Sequence, residues 1–364
     1  MAEPAAARLT IDLDALAYNY AVLRREAAGA EVAPVLKADG YGLGAGPVGA
    51  RLWQEGARTF FVARLSEGEA LRAALTPDRP ATIHVLDGFT AGAGPRLTAA
   101  ELTPALCTLP QVAAAQAWAQ GSGRPLPCTL HIDTGMNRQG LTTDEARALV
   151  QATDRLRGLE IGLVMSHLGS AENPKNPRNA RQLSRFLEVR GLFPRARASL
   201  SASAGTFLGA DYRFDLVRPG VSLFGGGPNE RPDERLKAVA RLSAPIADVR
   251  NLRPGDILGY GDSVRIAAPT RVAVVSAGYA DGIIRAAKAG GYAWFAGERR
   301  RILIVTMDLL VIELGEVEAA PGDKVELLGP HALLDDQATA AGSVAHEVLV
   351  RVSRRAKRSY VGDP

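Results

Sequence analysis

Residues 128–166 read CTLHIDTGMNRQGLTTDEARALVQATDRLRGLEIGLVMS. The short apolar runs at 128–133 and 160–166 are rich in aliphatic and β-branched residues, and they predict two strands. The segment at 143–152 lies between them, is amphipathic and is long enough for a helix. A strand, a helix and a second strand in this order indicate a βαβ unit whose strands lie parallel in one sheet.

The same alternation continues through the first two-thirds of the chain. Candidate strands lie at residues 33–37, 59–63, 82–86, 104–107, 128–133, 160–166, 196–200 and 214–218. The clearest helices between them lie at 46–54, 65–75, 109–119, 143–152 and 179–190. This pattern predicts an α/β fold, a (β/α)8 TIM-type barrel over residues 1–237, with a doubly wound open sheet as the competing fold.

The pattern changes after Lys237. Short alternating runs follow at 244–250, 272–276, 301–305, 309–314 and 324–328. Turn-forming segments separate them, among them Arg253-Pro254-Gly255-Asp256 and Ala320-Pro321-Gly322-Asp323. Residues 238–364 are therefore predicted to form a second, mostly β domain.

Composition excludes several classes of protein. The 364 residues are 47% hydrophobic and 23% charged, with a net charge of +4, which is typical of a globular chain. Two cysteines, Cys107 and Cys128, do not make a disulfide framework, and no metal site is expected because no ligand spacing such as H-E-x-x-H occurs. The basic clusters at 299–301 and 354–358 are interpreted as solvated surface rather than a nucleic-acid site. No signal peptide or apolar run of about 18 residues is found, so we expect a cytoplasmic protein without a membrane partner.

Polar side chains follow several predicted strands at the end where barrel enzymes hold their active sites. Because the carboxyl ends of parallel strands meet at one face of a barrel, we expect these side chains to converge. They are Lys37, Tyr41, His131, Arg138, His167, Ser203 and Arg218.

Lys37 ends an apolar predicted strand, so its amine should be partly desolvated. Desolvation disfavours the charged form, lowers the pKa and makes the amine nucleophilic, which suits a Schiff base with an aldehyde cofactor. A lysine with a purely structural ion pair is an equal alternative on this segment alone.

Two glycine-containing segments are ambiguous by themselves. Arg218-Pro219-Gly220-Val221 leaves backbone amides accessible and, with the hydroxyls of Tyr41 and Ser203, could hold a phosphate. It could equally be a turn that ends a strand. Gly278-Tyr279-Ala280-Asp281-Gly282 is, on its own, a loop with a tyrosine.

Together these segments resemble the alanine racemase family of pyridoxal-phosphate enzymes, from Ile11 to Tyr360. Seven motifs occur in the family's order: Lys37-Ala38-Asp39-Gly40-Tyr41-Gly42, Asp133-Thr134-Gly135-Met136-Asn137-Arg138, Ser166-His167-Leu168, Asn179-Ala180-Arg181-Gln182-Leu183, Arg218-Pro219-Gly220, Gly278-Tyr279-Ala280-Asp281-Gly282 and Met307-Asp308. The resemblance implies a barrel followed by a β domain, which agrees with the pattern of strands and helices.

The resemblance also implies a role for each candidate residue. Lys37 would carry pyridoxal 5'-phosphate and act as the base for the D-isomer, while Tyr279 from the partner subunit of a homodimer would be the base for the L-isomer. The substrate carboxylate would be held by Arg138 and the backbone amide of Met307. His167 is included in the cofactor site, and either it or an arginine would be the cation that lowers the pKa of Tyr279. The remaining cofactor contacts would be Tyr41, Ser203, Gly220 and Val221 at the phosphate and Arg218 at the pyridine nitrogen.

Three positions differ from the family's pattern. His131 replaces a lysine that is often carbamylated, Ala202 replaces an asparagine, and His346 replaces a tyrosine near the phosphate. We expect a neutral His131 and no dependence of activity on carbon dioxide. Arg138 should then find its negative partner in Asp133 or in a bound anion such as chloride, and the alternative is that water suffices.

The predicted function is interconversion of L-alanine and D-alanine by two bases, supplying D-alanine for peptidoglycan. A racemase of broader specificity on the same scaffold is an alternative. A barrel-type pyridoxal-phosphate decarboxylase is disfavoured by the segment around Tyr279. A non-catalytic pyridoxal-phosphate carrier is disfavoured because such proteins resemble the barrel alone, without Tyr279 and Met307.

Overall fold

A computed structural model of the chain describes residues 7–261, 264–352 and 355–362. Two compact units are present: Asn19–Leu223 forms one, and the chain before Asn19 groups with the chain after Leu223 in the other. The predicted domain boundary after residue 237 stays a prediction.

The unit of Asn19–Leu223 alternates strands with helices. Its elements, with the strand and helix that precede them, are β1 (Arg8–Asp12), α1 (Leu13–Ala27), β2 (Glu31–Val32), α2 (Lys37–Tyr41), α3 (Ala45–Gln54), β3 (Thr59–Val62), α4 (Leu65–Leu75), β4 (Thr82–Val85), α5 (Gly94–Ala99), β5 (Leu102–Leu106), α6 (Leu109–Ser122), β6 (Leu126–His131), α7 (Thr143–Gln151), β7 (Leu159–Met165), α8 (Pro177–Leu192), β8 (Arg197–Ser199), α9 (Ser203–Thr206) and β9 (Leu216–Val217).

The parallel strands of this unit form a half-barrel. β3 to β8 pair in sequence order as a six-stranded parallel sheet, and β2 and β9 form a separate parallel pair. Isolated parallel bridges join Val35 to Phe61 and Ala202 to Arg218. The parallel α/β architecture is thus confirmed, while the closed eight-stranded barrel stays a prediction.

Buried side chains from several strands meet in one apolar cluster. Its fully or almost fully buried members include Ala33, Phe61, Ala105, Met165 and Leu216. Helices α6, α7 and α8 begin at polar caps, and at α7 the Thr142 hydroxyl accepts a hydrogen bond from the backbone N–H of Glu145 at 3.1 Å. Because β3 to β8 are parallel, the loops that follow them lie at one end of the sheet.

The first predicted strand, at 33–37, is displaced in the structure. β2 covers only Glu31–Val32, and Val35 contributes a single bridge to Phe61. Lys37 therefore does not end a strand but begins α2, because the backbone after it adopts positive φ angles that no strand can accommodate.

The second unit is mostly β, as predicted. Its elements are β10 (Ala240–Leu252), β11 (Ile257–Leu258), β12 (Val264–Arg265), β13 (Thr270–Val275), β14 (Tyr292–Phe295), β15 (Glu298–Val305), β16 (Leu310–Glu313), β17 (Lys324–Leu328), α10 (Leu334–Ala340), α11 (Ala345–Arg351) and β18 (Lys357–Val361). Eight strands form one sheet in the order β13-β16-β15-β14-β17-β10-β1-β18.

β1 belongs to this C-terminal sheet and not to the half-barrel. It pairs antiparallel with β10 and parallel with β18, with Leu9 opposite Leu242 and Arg358. A lone edge strand leaves backbone groups unpaired, and β1 covers that edge of β10. Among the described helices, none combines the length and the apolar character needed to cross a bilayer.

Candidate active site

The backbone after Leu36 makes one left-handed turn. Ala38, Asp39, Gly40 and Tyr41 have φ angles of 54°, 55°, 63° and 57°. Such a turn costs about 1–2 kcal/mol for each residue other than glycine, so it needs compensating contacts. The N–H of Gly40 donates to the Leu36 carbonyl at 2.9 Å, and the N–H of Ala38 donates to Oε1 of Glu67 at 2.8 Å.

Lys37 begins this turn and is half-buried. Its pKa lies below the ordinary lysine value, first because burial disfavours the ammonium and second because the Arg138 cation repels it. Glu67 opposes the shift with its negative charge. A lysine with a lowered pKa holds more of its amine in the neutral form, which can act as a nucleophile or as a base.

The Tyr41 side chain lies directly against Gly220. A Cβ atom built on Gly220 would stand 2.0 Å from the Tyr41 hydroxyl oxygen, so only glycine allows this approach. The Ser203 hydroxyl accepts hydrogen bonds from the N–H groups of Gly220 at 2.9 Å and Ser222 at 3.3 Å. Val221 is buried between these two amides. The structure therefore brings together all four predicted phosphate contacts.

Tyr41 keeps its proton at neutral pH, since burial raises its pKa. Two hydroxyls and a glycine-lined backbone at the start of a short turn form a cradle of hydrogen-bond donors. Phosphate oxygens are acceptors only, so the chemistry of this cradle fits a phosphate group.

Arg218 follows β9 and is 5% exposed. Its guanidinium donates one hydrogen bond to the Ser199 hydroxyl and another, at 2.5 Å, to the Ser166 carbonyl. Burial lowers its pKa to about 10, which still leaves it protonated at neutral pH. No carboxylate pairs with Arg218 in the described part of the chain, so it is a buried cation that can only donate.

His131 and His167 both lie where a strand of the half-barrel ends. Burial, followed by the charges of Arg218 and Arg138, lowers the pKa of His131 to about 4 and that of His167 well below its ordinary value. His131 is thus neutral, as expected. The lowered pKa of His167 favours the neutral imidazole as well, which does not favour it as the cation expected to act on Tyr279.

Asp133 does not contact Arg138. Its Oδ1 atom accepts hydrogen bonds from the N–H groups of Gly135 and Met136, both at 2.8 Å, and so caps its own loop. Arg138 is exposed, and no hydrogen bond or ion pair of its side chain is found within residues 7–261, 264–352 and 355–362. Of the two expected arrangements, the Asp133–Arg138 contact is therefore absent from the described residues, and Oδ1 of Asp133 bonds to its own loop instead.

Tyr279 and Met307 lie together on the surface of the second unit, 44% and 54% exposed. The N–H of Tyr279 donates to the Thr306 carbonyl and that of Ala280 to the Met307 carbonyl, both at 3.0 Å. A Cβ on Gly278 would approach the Thr306 oxygen to 2.3 Å, so glycine is required for the two loops to touch. His346 is exposed near the start of α11 in the same unit.

The chain matches two family models, and the two models follow each other along the chain in the same order as the site residues of the two units. The N-terminal domain of alanine racemase matches residues 11–228, and its C-terminal domain matches residues 239–360. The chain belongs to the alanine racemase family.

Relatives named alanine racemase match almost the full chain. One from Methylobacterium sp. strain 4-46 is 42% identical over 98% of both chains, and a catabolic alanine racemase from Agrobacterium fabrum is 40% identical over 98% of this chain and 92% of its own. The crystal structure of alanine racemase from Bartonella henselae, with covalently bound pyridoxal phosphate, is similar with a TM-score of 0.92. It is 33% identical and covers 98% of this chain and 100% of that chain.

Sequence reasoning assigned no role to the residues of α8 that hold the loops of this alanine racemase homologue. Arg178 donates to the Gly135 carbonyl at 2.8 Å, and buried Gln182 donates to the His167 carbonyl at 2.9 Å. The two residues are four positions apart and so share one face of the helix. The available signal in the sequence was this pair of polar residues, Arg178 and Gln182, at helical spacing on a face that is expected to be apolar.

Proposed function

We propose that this chain interconverts L-alanine and D-alanine with pyridoxal 5'-phosphate as its cofactor. Membership of the alanine racemase family supports the reaction. The observation that carries the assignment is the half-buried Lys37, with its lowered pKa, in the turn that also places Tyr41 against Gly220.

The residues of the first unit fit the cofactor. Tyr41, Ser203, Gly220 and Val221 would hold the phosphate, Arg218 would face the pyridine nitrogen, His167 would line the site, and Lys37 would carry the cofactor. When bound, pyridoxal phosphate draws electrons from the substrate Cα through its conjugated ring. Arg218 donates and cannot accept, so it would leave the ring nitrogen unprotonated, which limits side reactions such as transamination.

Two bases on opposite faces of the substrate would move the proton. The neutral amine of Lys37 would take the Cα proton of D-alanine, and Tyr279 would take that of L-alanine. The phenol must become more acidic than in water, and a neighbouring arginine is the cation proposed for this. Arg138 and the Met307 backbone amide would hold the substrate carboxylate.

We also propose a homodimer with shared sites, in which Tyr279 is supplied by the partner subunit. The exposure of Tyr279 and Met307 on one surface of the second unit supports this, because catalytic groups on a surface need a partner to enclose them. For the first unit we propose a closed (β/α)8 barrel. The bridges Val35–Phe61 and Ala202–Arg218 lie at both places where β2 and β9 would join the six-stranded sheet.

The proposed location is the cytoplasm, and the proposed metabolic role is supply of D-alanine for peptidoglycan. The alternative role is degradation of alanine, since two relatives are named as catabolic. A racemase of broader specificity is the alternative for the substrate. Incubation with a panel of small L-amino acids, read by chiral chromatography, separates the substrate alternatives.

The cofactor assignment is tested with the purified protein loaded with pyridoxal phosphate. The wild type should absorb in the visible region and racemise L-alanine, whereas Lys37→Ala should lose both properties. Lys175→Ala, on an exposed loop, is the matched control and should keep them. A borohydride-stable adduct on a lysine other than Lys37 would overturn the assignment.

A further inference from the structure

Arg355 joins two carboxylates of the second unit. Its Nε and Nη2 atoms donate to the two oxygens of Asp281 at 2.8 and 2.5 Å, and its Nη1 atom donates to Oδ1 of Asp308 at 2.5 Å. Asp281 is 3% exposed, so its carboxylate is paired with Arg355 rather than with water. The planar fork of arginine makes both bonds to one carboxylate and keeps a third donor for the other, which a lysine ammonium cannot reproduce.

Asp281 connects Arg355 to the backbone around Tyr279. Its Oδ2 atom accepts a hydrogen bond from the N–H of Gly278 at 2.9 Å, and its own N–H donates to the Gly278 carbonyl at 3.0 Å. The carboxylate thus closes the short turn whose first residue is Tyr279. The contacts of Asp281 therefore fix the position of that turn.

Asp308 connects Arg355 to the other loop, since it directly follows Met307. The two loops also bond to each other through the pairs Tyr279–Thr306 and Ala280–Met307. In the described part of the chain the Tyr279 hydroxyl makes no hydrogen bond of its own. Its location therefore depends on its backbone.

We propose that Arg355 is a positioning residue for racemisation, which holds the Tyr279 loop and the Met307 loop in one fixed arrangement. This inference rests on the proposed function, in which Tyr279 moves a proton and the Met307 amide holds the substrate carboxylate. Arg355 acts through Asp281 and Asp308 and does not itself touch the substrate.

The first test measures hydrogen exchange of backbone amides, which does not depend on activity. Arg355→Lys and Arg355→Ala should raise the exchange rates in peptides that cover 278–282 and 306–309. Arg351→Ala is the matched control, because Arg351 is an exposed arginine whose ion pair with Glu347 lies within α11. Unchanged exchange in both loops of a folded Arg355 variant would overturn the proposal.

Asp308→Asn provides a milder variant that removes only the exposed arm of the contact, since the Asp308 side chain is 61% exposed. It should raise exchange at 306–309 while the Asp281–Arg355 pair still protects 278–282. This variant keeps the test valid if Arg355→Ala does not fold. Equal increases of amide exchange in both loops would contradict the proposal that Arg355 holds the two loops through separate contacts with Asp281 and Asp308.

The second test measures exchange of the alanine Cα proton with deuterated solvent on the loaded enzyme. Arg355→Lys should slow exchange on L-alanine by about 10- to 100-fold, because small displacements of a catalytic group have effects of that size. Exchange on D-alanine, which uses Lys37, should fall less. Equal losses on both isomers would mean that Arg355 acts through stability or through the Met307 loop alone and not through Tyr279, which would overturn the proposal that it positions both loops. If the wild type exchanges neither isomer, the proposed function fails, and the amide measurement still decides whether Arg355 holds the loops.

Discussion

The Oε1 atom of Glu67 accepts a hydrogen bond at 2.8 Å from the N–H of Ala38, the residue that follows Lys37. The other oxygen of Glu67 accepts from the N–H groups of Ala63 at 2.8 Å and Arg64 at 3.0 Å, where α4 begins. One carboxylate therefore joins the left-handed turn to the end of β3. It also lies close enough to Lys37 to act on the lysine's pKa.

Glu67→Gln should loosen this junction, because an amide has one acceptor oxygen and its NH2 group cannot accept from a backbone N–H. We expect the free energy of unfolding to fall by about 1 kcal/mol and the affinity for pyridoxal phosphate to fall several-fold. Urea unfolding and titration of the visible band measure the two effects. Glu69→Gln is the matched control on the same helix, since the Glu69 carboxylate only pairs with Arg96 at the surface. Similar losses of cofactor affinity in both variants would contradict the role given to Glu67.

Tyr279→Phe removes the proposed base for L-alanine. Exchange of the L-alanine Cα proton should fall by about 100-fold or more, which is the usual contribution of a general base. Exchange on D-alanine should survive better, because Lys37 remains. Equal losses for the two isomers, measured by deuterium incorporation, would count against two separate bases.

Mixing Lys37→Ala with Tyr279→Phe tests whether the sites are shared between subunits. Each mixed dimer would have one site with both bases and one with neither. Random exchange of subunits should therefore restore about a quarter of wild-type activity, since half of the dimers are mixed and one of their two sites is intact. Absence of any recovery, with subunit exchange verified, would place both bases in one chain.

His131 should make activity independent of carbon dioxide. Its neutral imidazole supplies no carboxylate-like anion to Arg138, and Asp133 makes no contact with Arg138 but accepts hydrogen bonds from its own loop. We therefore expect the same rate after rigorous removal of bicarbonate, and a higher KM for alanine when chloride is replaced by a bulky anion. A rate that falls without bicarbonate and returns with it would be inconsistent with this interpretation. A KM that does not respond to chloride would leave water as the group beside Arg138.

Acid should destabilise the first unit through three histidines, His84, His131 and His167, because the pKa of each is lowered in the folded chain. Burial lowers the pKa of His84 to about 3 and that of His131 to about 4, below the value near 6.5 of the unfolded chain. As pH falls from about 6.5 towards 4, the unfolded chain binds protons that the folded chain does not, so stability is lost. Each histidine adds a slope of up to about 1.4 kcal/mol per pH unit.

Urea unfolding at a series of pH values measures this slope. His84→Gln should flatten it by about one proton between pH 6 and 4 and leave it unchanged between pH 7 and 8, where neither state of the histidine takes up a proton. An unaltered slope in a folded His84→Gln variant would mean that other groups dominate acid unfolding.

The sequence by itself determined the alternation of strands and helices in the first unit and the bounds of several elements. The predicted helices at 65–75 and 143–152 and the predicted strand at 324–328 match α4, α7 and β17 within one residue. Local patterns suffice here because burial on one face imposes a period of 3.6 or 2 on the chain, and caps such as Thr142 mark its ends. The motifs around Lys37, Arg218 and Tyr279 could likewise be recognised from the sequence alone.

Only the tertiary structure decided contacts between residues far apart in the chain. The left-handed turn after Lys37 is stable because Glu67, 29 positions away, accepts from it. The hydrogen bonds of Arg355 to Asp281 and Asp308 bring together residues up to 74 positions apart. β1 joins the C-terminal sheet through partners more than two hundred residues away. Such long-range contacts produce no periodic pattern in the local sequence. Each one depends on a hydrogen-bonding group or a sheet edge that comes within reach only when the chain folds.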